Sequence, residues 1–223
     1  MLRLFVLALA LHQCLLTAFA AQPVFKLGKP TFLGSGCPAD SIAIVPAKDG
    51  QSMSVLFSQF TASTSADRHR DRKTCNLAIP VNTLPGISIG IFRVDYRGYV
   101  SVPEVNGSYA DFKVSYFFAE VPGPTHNKFW NSTVEKDYFL RSRAGVNTVM
   151  WSPCRDSSSI FRINAAVTAV RGGGGDDDDV DDTSISVDTA DVTVEDGMRY
   201  YITYKRCPPQ PTPTPSPTRR RHP

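Results

Sequence analysis

Side-chain catalysis has few places to start in this chain. Apart from His12 near the N-terminus, histidine occurs at His69, His126 and His222. His69 lies in the charged run Arg68-His69-Arg70-Asp71-Arg72-Lys73, and His222 is next to the last residue. A Ser-His-Asp hydrolase would have to rest on His126, close to the turn Pro122-Gly123-Pro124, and no G-x-S-x-G elbow accompanies it. Glycoside cleavage needs only two carboxyl groups about 5–10 Å apart. Asp95, Glu104, Glu120, Glu135 and Asp137 are available. Some acidic pair exists in any chain of this length, so no catalytic residue is assigned.

Recognition without chemistry has better material. Tyr96, Tyr99, Tyr109, Trp130 and Trp151 could each offer a flat face to a sugar ring. Trp151 directly precedes Ser152-Pro153-Cys154 and reads as core packing against a disulfide. Trp130, in Asn127-Lys128-Phe129-Trp130-Asn131, reads as the exposed one. Ile87, Ile89 and Ile91 alternate in one phase, then Phe92, Val94 and Tyr96 take the other, which is the mark of a β-bulge inside a strand. Beyond that phase change Arg93, Asp95, Arg97 and Tyr99 share a face. An exposed ladder of this kind contributes only a few tenths of a kcal/mol per pair. As a site, it would be a polar binding face with Tyr99 as a stacking surface. The candidate ligand-binding residues are therefore Trp130, Tyr99, Arg97 and Asp95.

Cysteine use fixes the compartment. Cys14 falls in an N-terminal leader, leaving Cys37, Cys75, Cys154 and Cys207 at spacings of 38, 79 and 53. No C-x-x-C pair occurs, so zinc is not expected, and four cysteines read as two disulfides formed in an oxidising compartment. Three connectivities are possible. Cys37–Cys75 with Cys154–Cys207 is the expected one, because each bridge then ties strand ends that are nearest in sequence. Asn106-Gly107-Ser108 and Asn131-Ser132-Thr133 are glycosylation sequons, at Asn106 and Asn131. Neither a metal nor a cofactor is expected.

The elements that must position these residues are strands. Arg3, the apolar run 4–11 and Ala18-Phe19-Ala20 make a signal peptide over 1–20, broken by His12 and Gln13 too early for a membrane span. Residues 21–31 form a lead-in with Pro23 and Pro30. From there to Cys207 the apolar period is two: Ile42/Ile44, Met53/Val55/Phe57, Phe112/Val114/Tyr116/Phe118, Phe161/Ile163/Ala165/Val167 and Met198/Tyr200/Ile202/Tyr204. Turn signals such as Lys48-Asp49-Gly50 and Glu195-Asp196-Gly197 separate them. About ten short strands with no helical period predict an all-β fold over 32–207, an antiparallel β-sandwich of jelly-roll or immunoglobulin-like type. The Gly/Asp-rich stretch 172–182 lacks the spacing of a calcium loop and reads as a solvated hairpin loop. The Pro/Thr-rich tail 208–223 reads as a disordered polyproline-like stalk ending in Arg219, Arg220 and Arg221.

Composition narrows the class further. Hydrophobic residues are 42% and charged residues 20%, which excludes both a disordered and a membrane protein. Setting aside Arg3 and the three tail arginines leaves 20 basic against 21 acidic side chains. That balance argues against a nucleic-acid binder.

Gly34-Ser35-Gly36-Cys37-Pro38, Lys73-Thr74-Cys75-Asn76-Leu77, Val94-Asp95-Tyr96-Arg97-Gly98-Tyr99, Tyr116-Phe117-Phe118, Trp151-Ser152-Pro153-Cys154 and Tyr204-Lys205-Arg206-Cys207 follow one another in order. In this series the chain resembles the small secreted, mostly fungal proteins grouped as domain of unknown function 4360. The Gly/Asp insert, the Pro/Thr tail and Tyr204 in place of a tryptophan depart from the pattern. The resemblance implies export and a compact β fold, and it carries no activity. Gly36 before Cys37, and Gly98 within a strand, suggest tight turns or close backbone approach. Most of the signature, Asp95 included, then reads as disulfide and strand scaffolding.

The expectation is a secreted, non-catalytic extracellular or cell-wall protein that contacts polysaccharide. The alternatives are a small hydrolase or effector acting on wall carbohydrate and a protein–protein interaction module. The sequence leaves the ligand and the oligomeric state open.

Overall fold

The computed structural model describes residues 24–119, 121–143, 149–155, 157–173, 181–187 and 197–209. The expected signal peptide over residues 1–20, residues 174–180 of the Gly/Asp-rich stretch, Glu120, His222 and nearly all of the tail lie outside the described residues. Among the described residues there is no helix, hence none long and apolar enough to cross a membrane.

The described residues form fourteen strands in two antiparallel sheets. That is more than the ten expected, and the longest are not short, because the alternation that marks one strand runs unbroken through several of them. In the smaller sheet the central strand is β12 (Ser158–Val170), flanked by β6 (Arg70–Thr83) and β8 (Tyr109–Phe118), with β9 (Thr125–Trp130) beyond β8. Two three-residue strands, β1 (Phe25–Leu27) within the stretch read as a lead-in and β2 (Thr31–Leu33) starting at its last residue, pair with β6.

The larger sheet is built around β7 (Ile87–Val102), 16 residues long. One edge of β7 pairs first with β14 (Met198–Arg206) and then with β13 (Ser184–Val187). The other edge pairs with β11 (Met150–Trp151) and then with β10 (Val134–Arg143). Outside β14 lie β4 (Ser52–Phe57) and β3 (Ile42–Pro46), and β5 (Thr61–Ser63) pairs with β13.

One core joins the two sheets. Phe112, Val114, Tyr116 and Phe118 of β8 and Phe161, Ile163 and Val167 of β12 are buried against Val94, Tyr96, Tyr200 and Ile202 of the larger sheet. Tyr200 meets Tyr116 and Phe161 edge-on, with ring centroids 5.7 and 5.3 Å apart. Edge-to-face pairs of this kind add about 1 kcal/mol beyond the area they bury.

Both disulfides are those expected, Cys37–Cys75 and Cys154–Cys207. The first pins the loop before β3 to β6, and the second closes the end of β14 onto the segment after β11. Each closes a loop of several tens of residues and stabilises by about 4 kcal/mol in the chain-entropy model. The close approach expected at Gly98 is present: a Cβ there would lie 2.0 Å from Ser186 O and 2.5 Å from the Tyr138 hydroxyl. Tyr138 lies across Gly98 and donates to Ser186 O at 2.7 Å, so one side chain bridges three strands.

Candidate functional site

The phase change read inside β7 is a bulge. Pairing with β14 slips between Tyr201 and Ile202, so that Arg93 and Ile91 oppose consecutive residues and Phe92 has no opposite number. Ile89 and Ile91 point inward before the slip, and Val94 and Tyr96 after it. Phe92, grouped with the inward phase in the sequence, is instead 37% exposed, because the extra residue swings outward at the bulge. It stands 6.2 Å from the ring of Tyr201, also on the outer face.

Beyond the bulge the outer face is built by register. Arg143 and Tyr201 lie opposite Arg93, Arg141 and Arg199 lie opposite Asp95, and Phe139 lies opposite Arg97. Directly opposed residues of antiparallel strands share a face. Three rungs of the sheet thus gather five arginines, two aromatic rings and one carboxylate.

Asp95 organises this array. It is 6% exposed and accepts two hydrogen bonds from Arg141, Nε to Oδ1 at 2.9 Å and Nη2 to Oδ2 at 3.1 Å. The Tyr201 hydroxyl donates to Oδ2 at 3.3 Å, and Arg93 Nε lies 3.7 Å from Oδ1. A forked guanidinium–carboxylate pair is the strongest common form of charged hydrogen bond and fixes orientation as well as energy. The pair pushes the Arg141 guanidinium further toward its charged form. The partners of Asp95 come from neighbouring strands, so it does serve as scaffolding, but its task is to hold arginines on an open face.

The rings complete the arrangement. The Arg93 guanidinium sits 3.4 Å from the centroid of Tyr201, and Arg199 lies 5.1 Å from it. Arg97 and Arg141 lie 5.1 and 5.0 Å from the centroid of Phe139, which is 48% exposed. Each contact is a cation–π pair and restrains a long side chain before any ligand arrives. Further along the strand Tyr99 donates to Glu135 Oε1 at 2.9 Å, which raises the tyrosine's pKa.

The structure therefore brings together Asp95, Arg97 and, one rung away, Tyr99. Trp130 is not with them. It is 8% exposed, on the inward phase of β9, with its ring centroid 5.1 Å from that of Tyr138 across the sandwich. The expectation of an exposed Trp130 is corrected: the edge strand tucks this ring under β10, and the neighbouring Phe129 is the exposed residue. Trp151 is half-buried, with Lys205 Nζ 4.2 Å above its ring. Sequence reasoning missed Phe139, Arg141, Arg143, Arg199 and Tyr201. For the last two the signal was present, since they alternate with Met198, Tyr200 and Ile202.

The remaining candidates fall into place around this face. Of the acids the sequence offers, Glu104 and Glu135 border one hollow of about 500 Å³ with Asp181 and Asp182. Asp182 also accepts from the Thr64 hydroxyl. No group of acidic, histidine or cysteine side chains that could hold a metal ion occurs among the described residues. His126 points inward, stacked on Tyr96 at 5.2 Å, and burial lowers its pKa. Its Nε2 is buried with no hydrogen-bond partner among the described residues. Asn106 and Asn131 are both exposed, in the β7–β8 and β9–β10 turns.

The model of a family described as a domain of unknown function (DUF4360) matches residues 24–207. An uncharacterized secreted protein of Arthroderma benhamiae (strain ATCC MYA-4681 / CBS 112371) is 30% identical over 139 residues. That match covers 61% of this chain and spans only 56% of the relative's length. Among solved structures, TmCBM61 in complex with beta-1,4-galactotriose is 12% identical at a TM-score of 0.28, covering 80% of this chain and 90% of that one. TmCBM27, a carbohydrate-binding module solved for mannan recognition, is 12% identical at a TM-score of 0.27, covering 82% and 98%. Infectious bursal disease virus strain Gx is 10% identical at 0.26, covering 81% and 37%. At TM-scores this low no ligand transfers from any of them. The family match covers most of the described fold and includes all four disulfide cysteines, and the chain belongs to the family described as domain of unknown function 4360.

Proposed function

We propose that this is a secreted extracellular protein that binds polysaccharide on the outer face of its larger sheet and does not cleave it. One observation carries the reading: Phe139 and Tyr201 are set out on a flat strand face with guanidinium groups stacked on them and locked through Asp95. Aromatic faces take sugar rings, and pre-ordered arginines donate to hydroxyl and acidic oxygens at little entropic cost. Export is supported by the leader-like residues 1–20, by two disulfides and by the relative described as a secreted protein. Glycans on Asn106 and Asn131 and attachment to a cell wall belong to the same proposal. The test is retention of the purified secreted protein on insoluble wall polysaccharides, with released sugar assayed. Retention without release is the expected result. Failure to be retained on any of them would point to a protein partner instead.

A second reading rests on Glu104 and Glu135, which face one hollow together with Asp181 and Asp182. Paired carboxylates at such a hollow are what a small hydrolase of wall carbohydrate would need. Sugar release that disappears in Glu135→Gln would favour this reading.

A further inference from the structure

We infer that the chain carries a further binding site, independent of the polysaccharide reading, for a medium-chain fatty acid: a hydrocarbon tail ending in a carboxylate. The site is a hollow of about 590 Å³ between β1 and the turn that joins β3 to β4. These elements form the side of the sandwich away from β9 and β10, so the hollow is separate from the outer face around Asp95. Its lining reaches the core: Phe25 and Ile79 are buried, and Leu27 and Ile44 are half-buried beside them. A space of this size falls within the roughly 300–1,000 Å³ of ligand pockets, whereas packed interiors leave few voids larger than a water.

The lining decides the chemistry. Apart from Lys26 and Lys48, every described residue around the hollow is phenylalanine, leucine, isoleucine, proline, alanine or glycine. It therefore presents no hydroxyl, amide or carboxylate side chain to a sugar. The backbone adds little. The N–H groups of Gly28, Ala47 and Gly50 already donate to the Pro80, Ser52 and Ala47 carbonyls at 2.8, 2.9 and 3.0 Å, and Pro30 and Pro46 have none. A polar ligand would give up water here without replacement, so the part that enters is hydrocarbon. Both charged residues at the hollow are cations, one from each bounding element, and both are exposed. Neither takes part in an ion pair among the described residues. Asp49, next to Lys48, does not line the hollow and accepts from Gln51 N at 2.9 Å. Lysine lays its stem along apolar surface and keeps its ammonium in water, which suits an acidic head group at the mouth. A neutral alcohol would fill the hollow without using the lysines, and a cationic amphiphile would be repelled by them. With only three residues, β1 is about 10 Å long, which sets the scale of the chain.

The experiment titrates decanoate into the secreted, disulfide-bonded protein by isothermal calorimetry, below the concentration at which the acid forms micelles. Decanol and decyltrimethylammonium are the comparison ligands. The expected result is one decanoate per chain, bound about tenfold more tightly than either, as a hydrogen bond to a charged group warrants. Lys48→Glu, at an exposed turn, should weaken decanoate about tenfold while leaving decanol binding and the melting temperature unchanged. Ala47→Trp, which fills the hollow from its rim, should abolish binding of all three. If that variant does not fold, the Lys48→Glu comparison alone decides. No binding of decanoate, or equal binding of all three ligands by the parent, would overturn the inference. So would many equivalent decanoates per chain, which is detergent-like adsorption. A folded Ala47→Trp protein that binds decanoate like the parent would place the acid elsewhere and overturn the site. Retention on wall polysaccharide is a separate measurement, so either reading can fail alone.

Discussion

The two outer faces of the sandwich solve the same problem in different ways. On the smaller sheet Tyr109 and Phe129 pair at 5.0 Å, and Phe129 is 48% exposed. Asp111 shares a rung with Arg72, and Lys113 lies one rung on, while Arg162 stands six residues further along the register. Charge there is spread and partly cancelled. On the larger sheet the arginines are concentrated, stacked on rings and tied to a buried acid. An outer face that only has to stay wet resembles the first, in which scattered charges contribute little.

The largest effect should come from what holds the larger sheet's end. Replacing Cys154 and Cys207 by serine should cost about 4 kcal/mol by the loop-entropy model. At roughly 2–4 °C per kcal/mol for a domain of this size, the melting temperature should fall by about 8–16 °C. Thermal unfolding followed by circular dichroism checks it, and an unchanged midpoint would mean that β14 is secured by its pairing alone.

Asp95→Ala should come next. It strands Arg141 and Tyr201 beside a neighbouring Arg93 and should cost about 2 kcal/mol, in the range for unpairing a partly buried charge. Glycan retention should disappear with it. Loss of ligand at an unchanged melting temperature would show that Asp95 touches the ligand rather than positioning arginines.

Phe139→Ala sharpens the contrast between the faces at smaller cost. The ring is half in solvent, so stability should change by under about 0.5 kcal/mol, the range for surface substitutions. Retention should fall about tenfold, read as the dissociation constant on immobilised polysaccharide, since base- or sugar-type stacking and cation–π ordering are together worth about 1–2 kcal/mol.

The smallest effect couples the sheets through His126. Burial and Lys128 lower its pKa below the usual 6.5, so the unfolded chain binds more protons than the folded one between the two values. Stability should therefore be full above about pH 6.5 and decline as pH falls through that value toward the folded pKa. His126→Gln should flatten the melting temperature between pH 7.5 and 5.5. An unchanged slope would assign the decline to other groups.

Much of this molecule was legible in the sequence because its longest strands report their own faces. Val114, Tyr116 and Phe118 in β8, and Ile163, Ala165 and Val167 in β12, alternate without a break. The bulge in β7 was visible as a change of phase, and sequence-adjacent cysteines did pair. The site was legible only along β7. Arg141 reaches Asp95 from 46 residues away, and strand order is set by pairings that a linear pattern does not encode. In β10 the outward phase carries Phe139 among charged residues, which hides an aromatic platform inside what reads as a polar stripe. Trp130 misled for the opposite reason: turn and sequon next to it suggested solvent, while the inward phase of an edge strand buried it.

The most direct test of the account is a paired comparison on immobilised wall polysaccharide. Phe139→Ala/Arg141→Ala removes the platform of the larger sheet, and Tyr109→Ala/Phe129→Ala removes that of the smaller. The account predicts that the first variant washes through while the second is retained like the parent protein, both folded by circular dichroism. Retention of the first and loss of the second would place binding on the smaller sheet and contradict the central claim.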